Sequence, residues 1–324
     1  MDGHPVYESS KSTKHGDAVK LRDKLLAKKS RGEVSGGSPS RVLIRELLDD
    51  VLQSDIAEST RYIWGLVIAK SLRPFFGKLK AARLTTDKMD EYRQKRKDEG
   101  CVDATVNREL TVLRTAFHNA RKRTPPKVQI VPYFPMVTET NVRQGFLTDG
   151  QYTRLRDALE PELRPLFLCG YMTGTRKSEL LACEWEWVDF DAGTISLPAH
   201  VCKNNDGRTV PIIDGDMRDL LLAAKAERDA NWPDSKWVFS RSGKRIVDFR
   251  SAWDVAVTTA GVPDLTFHDL RRTAVRNMRR AGVPQIIRMA ISGHKTDSME
   301  RRYNIVDGED IAVAKKLMGK RKRQ

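Results

Sequence analysis

Four cysteines serve 324 residues, and Cys101, Cys169, Cys183 and Cys202 stand far apart with no CxxC pair. That spacing offers neither a disulfide framework nor a zinc site. No apolar run approaches the roughly 18–20 residues that a membrane span needs. The opening MDGHPVYESSKS holds no apolar stretch fit for a signal peptide. Phosphate-binding sequences of the nucleotide kind are missing as well: there is no GxxxxGK, and no GxGxxG follows a strand pattern. HExxH is absent, and the acidic residues are scattered among basic ones rather than clustered as a metal-dependent nuclease requires. No segment repeats at a fixed period. The absences point to a soluble intracellular protein, with no metal, no nucleotide cofactor and no membrane among its expected partners.

Positive charge is what the sequence has in excess. Lys and Arg number 58 against 43 Asp and Glu, a formal net charge of +15. A balance of that size favours a polyanionic partner, nucleic acid before all others. The excess is concentrated late: the stretch from Thr266 to Gln324 alone carries a net +9.

Hydrophobic spacing divides the chain. Residues 1–38 are polar and basic and end in RGEVSGGSPS, a flexible joint. Inside them DAVKLRDKLLAKK has the spacing of a short basic helix. A helical block is expected over 39–123. Its first helix, capped by Ser40, aligns Leu43, Ile44, Leu47, Leu48 and Val51 in one stripe. Further helices are expected over 59–72 and 86–100. A long one from a cap at Asp103 places Val106, Leu110, Leu113, Phe117 and Ala120 at alternating four- and three-residue steps. Four prolines in TPPKVQIVPYFP cannot continue a helix, so 124–146 is read as a linker and 147–324 as a second domain. There Thr148 and Gln151 form a capping box, helices follow near 163–172 and after TGTR, and WVDFDAGTISLPAHVCKNNDGRTVPII reads as a three-stranded antiparallel insert. Everything after Asp214 is expected to be helical. The fold class is mainly α with a small antiparallel β-sheet.

Within LTFHDLRRTAVRN, Thr266 and Asp269 form a second capping box, and His268 and Arg271 stand one helical turn apart. Both can reach one small object, and the rigid donor fork of arginine matches phosphate. Alone, the stretch reads more simply as a solvated basic face with a partly buried histidine.

Its neighbours change the reading. TGTRKSELL, the lysine of VCKNNDGRTVPI, HDLRRTAV, the Gly-His at 293–294 and the tyrosine of RRYNIV occur in this order. In order and approximate spacing they resemble the tyrosine recombinases, the phage-type integrases, over about residues 40–310. The resemblance implies a helical core-binding domain of the SAM-like kind followed by a mixed α/β catalytic domain. It implies site-specific DNA recombination, with strands cut and rejoined through a 3′-phosphotyrosyl intermediate and neither ATP nor metal required, on behalf of a phage or other mobile element. Tyr303 would be the nucleophile. Arg176 and Arg271 would clamp the non-bridging oxygens, Lys203 would protonate the leaving 5′ oxygen, His268 would assist proton transfer at the tyrosine, and His294 would hydrogen-bond the phosphate. Glu179 would support the site. The simpler alternatives are a surface ion pair between Arg176 and Glu179, an ordinary hairpin lysine at 203, where Lys177 and Arg208 are other nearby cations, a structural His294 and a core Tyr303. His118, His200, Trp185 and Trp187 read as packing or surface residues.

Arg108, Arg114, Arg121, Lys122 and Arg123 are expected to meet DNA phosphates from the helical block. Such contacts give salt-sensitive affinity without reading bases. The resemblance further implies double-stranded DNA as partner, a homo-tetramer on two DNA sites, accessory DNA-bending proteins and a cytoplasmic, nucleoid-associated location. EDIAVAKKLMGKRKRQ begins as an amphipathic helix of the kind that docks on a neighbouring protomer in this family, and ends as a basic tail. Two features depart from the pattern: Ser292 stands where many members have leucine, and 1–38 is a short polar segment where arm-binding integrases carry a folded domain. A Xer-like resolvase, a type IB topoisomerase and a DNA-binding regulator on the same scaffold are the competing readings.

Overall fold

The computed structural model describes residues 9–30, 41–139, 146–203 and 205–296, with residues 311, 315 and 318 beside them. The chain divides into two compact units, Met1–Val142 and Arg143–Gln324.

The first unit holds α1 (His15–Ser30), α2 (Ile44–Leu52), α3 (Glu58–Val67), α4 (Arg73–Phe76), α5 (Thr86–Asp98) and α6 (Asp103–Lys122). Ile44, Leu47, Leu48 and Val51 of α2 are wholly buried and pack on α6, whose Val106, Leu110, Leu113 and Phe117 are wholly buried too. Complete burial of such side chains contributes about 1.5–3 kcal/mol each. The expected helix caps shift: α2 starts after Leu43, beyond Ser40, which lies outside the described residues, and Val102 rather than Asp103 is the cap of α6. The helix expected to stop at 72 runs on to Phe76 through a wide π-turn at Ile68–Leu72. Pro74 has no N–H to offer and its ring crowds the preceding turn, which the widened turn relieves. The proline-rich stretch does not hang between units as a linker up to its end. Val128 and Phe134 enter the first core, and the Asn107 amide donates to the Val137 carbonyl at 2.8 Å.

The second unit is built around α8 (Arg164–Thr173), which is apolar on every side and buried almost throughout. Before it lies α7 (Asp149–Ala158), whose Thr148 cap and Gln151 satisfy each other's backbone N–H as expected. After it come α9 (Lys177–Leu181) and the antiparallel meander β1 (Val188–Asp189), β2 (Thr194–Leu197) and β3 (Arg208–Pro211). Ile195 pairs with Val210 in register, and both are buried. Then follow α10 (Asp216–Asn231), β4 (Ser240–Arg241), β5 (Lys244–Arg245), α11 (Arg250–Thr259), α12 (Phe267–Arg280) and α13 (Gln285–Ser292). The β4–β5 hairpin corrects the expectation of helix alone after Asp214. Its strands are too short to show alternation, but Ser242 and Gly243 both take positive φ at the turn. α12 and α10 pack on α8, and α12 comes so close that a Cβ on Gly170 would lie 2.7 Å from the Phe267 ring.

Candidate active site

The end of α13 gathers three arginines from three other elements. Three consecutive carbonyls, those of Ile291, Ser292 and Gly293, accept from Arg208 Nε (3.0 Å), Arg271 Nη1 and Arg176 Nη2 (3.0 Å) respectively. The last carbonyls of a helix have no partner within it and carry the negative end of its dipole, so cations are welcome there. The turn that presents them needs Gly293, which sits at φ +71°, where a Cβ would approach the Arg208 guanidinium to 3.1 Å. Arg271 Nη1 also donates to the carbonyl of Gly174 (2.7 Å), the left-handed cap of α8. The Gly-Thr-Arg turn that follows delivers Arg176 as the cap of α9.

Glu179 lies beneath two of the arginines and is fully buried. Its carboxylate accepts from Arg208 Nη2 (2.6 Å), Arg176 Nη1 (2.8 Å) and the Arg176 backbone N–H (3.0 Å). Burial pushes this carboxyl up, but the hydrogen bonds and charges of Arg208 and Arg176 outweigh it and hold it below the usual carboxylate range. Arg176 therefore does pair with Glu179, but in the interior rather than as a surface ion pair.

α12 inverts the simple reading of its sequence. Its arginines 271, 272 and 276 are buried while His268 is exposed. The Asp269 carboxylate accepts from the Thr266 N–H (2.9 Å) and hydroxyl (2.6 Å), closing the expected box at the start of the helix. Partial desolvation and the Arg271 charge push the His268 imidazole below its usual range. His294 is buried; desolvation, then the charges of Arg271 and Arg176, push it down to about 3, so it is neutral at physiological pH. Arg271 Nε donates to its Nε2 at 3.0 Å.

Arg176, Arg271, His268 and His294 thus come together. Lys203 is exposed on the β2–β3 connection, one residue past the buried Cys202, whose Sγ lies 3.4 Å from Arg208 Nη1. Tyr303 lies outside the described residues, as do Arg301 and Arg302. In the first unit Arg108, Arg121, Lys122 and Arg123 are exposed, whereas Arg114 is half-buried. Arg108 lies 3.9 Å from Glu139. In the sequence Arg208 stands out only as a rival to Lys203. Alternation along β3 holds the missed signal, because Arg208 shares a face with the buried Val210. Ser292 stands out there only as a departure from the family pattern.

Beside Arg176 and Arg208 lies a cavity of about 330 Å³, whose lining includes both of them, His294 and Lys295 as well as Ile286 and Met289. Three arginines seated largely on neutral carbonyls concentrate positive charge in this region, and guanidinium forks of that kind suit an anion. Among the described residues no group of three or more His, Cys, Asp or Glu is placed to hold a metal ion, and no helix is long and apolar enough to cross a membrane.

Residues 145–309, half of the chain, match the family model described as the phage integrase family. The shufflon-specific DNA recombinase of Escherichia coli is 31% identical over 208 residues, covering 61% of this chain and 50% of that one. The chain spans about half the length of the curated relatives it matches. Among solved structures, the Tn1549 transposon integrase in complex with transposon right end DNA has a TM-score of 0.70 at 16% identity, covering 85% of this chain and 98% of that one. A lambda integrase tetramer bound to a Holliday junction has a TM-score of 0.66 at 16% identity, covering 91% and 88%. At those identities the likeness is one of fold.

Proposed function

The chain belongs to the phage integrase family, and from that premise we propose that it is a site-specific DNA recombinase working through a phosphotyrosyl intermediate. The observation that carries the reading is the seating of Arg208, Arg271 and Arg176 on three successive carbonyls at one helix end. Such an array is preorganised for the charge that builds on a phosphodiester under attack, and it needs no rearrangement at the moment of reaction.

Tyr303 attacks the scissile phosphorus. Its Oη–P bond forms, the bond from phosphorus to the 5′ oxygen breaks, and the 3′ end stays linked to the enzyme. The phenol, with a pKa of about 10 when unperturbed, passes its proton toward His268, which is neutral because its imidazole is held below the usual range. Lys203 gives a proton to the departing 5′ oxygen. Arg176 and Arg271 balance the charge on the non-bridging oxygens, with Glu179, itself held by Arg208, keeping Arg176 in place. The reverse sequence, with a 5′-hydroxyl from another strand, reseals the DNA. The energy of the phosphodiester is conserved throughout, so the chemistry requires neither ATP nor metal.

Arg108, Arg114, Arg121, Lys122 and Arg123 supply phosphate contacts from the first unit, and the exposure of all but the half-buried Arg114 supports this. Double-stranded DNA and a tetramer on two sites are the proposed partners, by analogy with the lambda integrase tetramer on its Holliday junction. Accessory DNA-bending proteins are part of the same proposal, as is a role in integrating or excising a mobile element inside the cell.

The test is a nicked duplex built on the sequence flanking the gene, incubated in EDTA with wild type and with Tyr303→Phe. A covalent protein–DNA band on a denaturing gel that requires Tyr303 establishes the chemistry. Specific DNA binding without any band refutes it and favours a regulator on the same scaffold.

A further inference from the structure

α12 is held on two faces. On one, Arg271 Nη1 donates to the Gly174 and Ser292 carbonyls. At 3.6 residues per turn, Thr273 and Arg276 lie about 200° and about 140° around the helix from Arg271, on its opposite side. There they take hold of Phe146 and Leu147, at the start of the second unit. The Thr273 hydroxyl donates to the Asp269 carbonyl one turn back (3.2 Å), which leaves its oxygen to accept from the Leu147 N–H at 3.1 Å. Arg276 Nη2 donates to the Leu147 carbonyl, also at 3.1 Å. Both backbone groups of one residue are thus bonded to side chains one turn apart on α12, and Leu147, Thr273 and Arg276 are all buried. The Arg276 guanidinium also lies over the half-buried Phe146 ring, 4.4 Å from its centre, a cation–π contact that gains from the loss of water around it.

We propose that Phe146 and Arg276, with the Leu147 backbone between them, form a brace that positions α12 for the reaction. His268 and Arg271 both ride on this helix, so a slide or rotation of α12 displaces the two together. Carbonyls at the ends of α8 and α13 seat Arg271 alone; a second restraint on the opposite face is what fixes the rotation of the helix about its axis. Displacing a reacting group by about 1 Å costs up to about a hundredfold in rate. Phe146 and Arg276 act through α12 and are positioning residues. Because Leu147 stands at the start of the second unit, the chain arriving from the first unit runs directly into the brace. The catalytic consequence rests on the recombinase reading, whereas the brace itself does not.

Two measurements on the whole protein separate the two. In urea titrations Phe146→Ala and Arg276→Met should be coupled: the midpoint shift of the double variant should be smaller than the sum of the single shifts, since either change already breaks the ring–guanidinium contact. Additive shifts overturn the brace. In single-turnover cleavage of the nicked duplex at saturating protein, the rate constant reports positioning and the amplitude reports the folded, competent fraction. Arg276→Met should lower the rate constant roughly tenfold, the scale of one net hydrogen bond, with amplitude and DNA affinity unchanged. Arg276→Lys, which still donates and still sets a cation on the ring, and Phe146→Tyr, which keeps the ring, should recover most of the rate. An unaltered rate constant, with or without a loss of amplitude, or an Arg276→Lys variant no faster than Arg276→Met, overturns the proposal. Should wild type form no phosphotyrosyl product while the urea shifts remain coupled, the recombinase reading fails and the brace stands.

Discussion

Glu179→Gln tests the site where its electrostatics are most exposed to measurement. The wild-type carboxylate accepts three hydrogen bonds, from Arg208 at 2.6 Å, from Arg176 at 2.8 Å and from the Arg176 backbone at 3.0 Å. Net contributions of bonds to charged groups are about 1.5–3 kcal/mol each, and removing one partner of a buried ion pair costs about 3–5 kcal/mol. Glutamine keeps the volume and one carbonyl acceptor, so its expected cost is about 3 kcal/mol, and that of Glu179→Ala about 5 kcal/mol. Five of the six tryptophans, Trp185, Trp187, Trp232, Trp237 and Trp253, belong to the second unit, so urea titration followed by tryptophan fluorescence reports mainly on that unit. Acid supplies a second signature. The folded carboxyl titrates below the ordinary value of 4.5. Its contribution is therefore complete above that value and disappears as pH falls through the folded one. Glu179→Gln should flatten this acid limb as well as lowering the midpoint at pH 7. Stability within about 1 kcal/mol of wild type, below any value expected for a broken buried pair, together with an unchanged acid limb, would refute the idea that Glu179 holds the arginines.

Gly293→Ala should lower the melting temperature by the equivalent of about 1–3 kcal/mol and abolish cleavage, because φ is +71° and the added Cβ meets Arg208; wild-type melting and activity would show that the turn relaxes freely. Anisotropy titrations of Arg121→Ala and Lys122→Ala against duplex DNA should weaken binding equally on all sequences and reduce the slope of log K against log salt by about 1 for each phosphate no longer neutralised. An unchanged slope would place those side chains off the DNA. In rate–pH profiles, cleavage by wild type should rise as His268 loses its proton below its ordinary value of 6.5 and be level by neutrality. His268→Gln should lose that limb and about 10²–10⁴ in rate, and a variant that keeps the limb would assign it to another group.

Much of the fold was legible because long helices bury one stripe. The 106–110–113–117–120 pattern is buried in the structure as written in the sequence, and the two capping boxes, at Thr148 and Thr266, start helices where their side chains predict. What escaped was set by tertiary contact. Nothing in TPPKVQIVPYFP announces that Val128 and Phe134 belong to the first core, since prolines hide periodicity without preventing packing. Asp103 looks like a cap but is the first helical residue, where a carboxylate still favours the helix dipole. In the site, motifs name Arg176 and Arg271 but cannot show that they share one helix end with Arg208. That convergence joins residues more than 80 positions apart in the chain. Burial of α12's arginines was equally hidden, because an arginine-rich helix face is ordinarily a solvated one.

How the arginines are held matters as much as where they are. Three guanidiniums drawn together from separate elements repel one another, and counter-charges are the simplest remedy. Glu179 supplies one to Arg176 and Arg208. Further restraint comes from neutral carbonyls: Gly174 and Ser292 for Arg271, Gly293 for Arg176, Ile291 for Arg208. Carbonyls at helix ends attract cations through partial charges, so they fix the geometry without cancelling the charge. A carboxylate for every arginine would make a more comfortable protein and a poorer receptor, since an arriving phosphate would have to compete with each one. The depressed His294 follows first from its burial and then from the same choice: the arginine charges around a buried imidazole keep it neutral, and it accepts from Arg271 Nε.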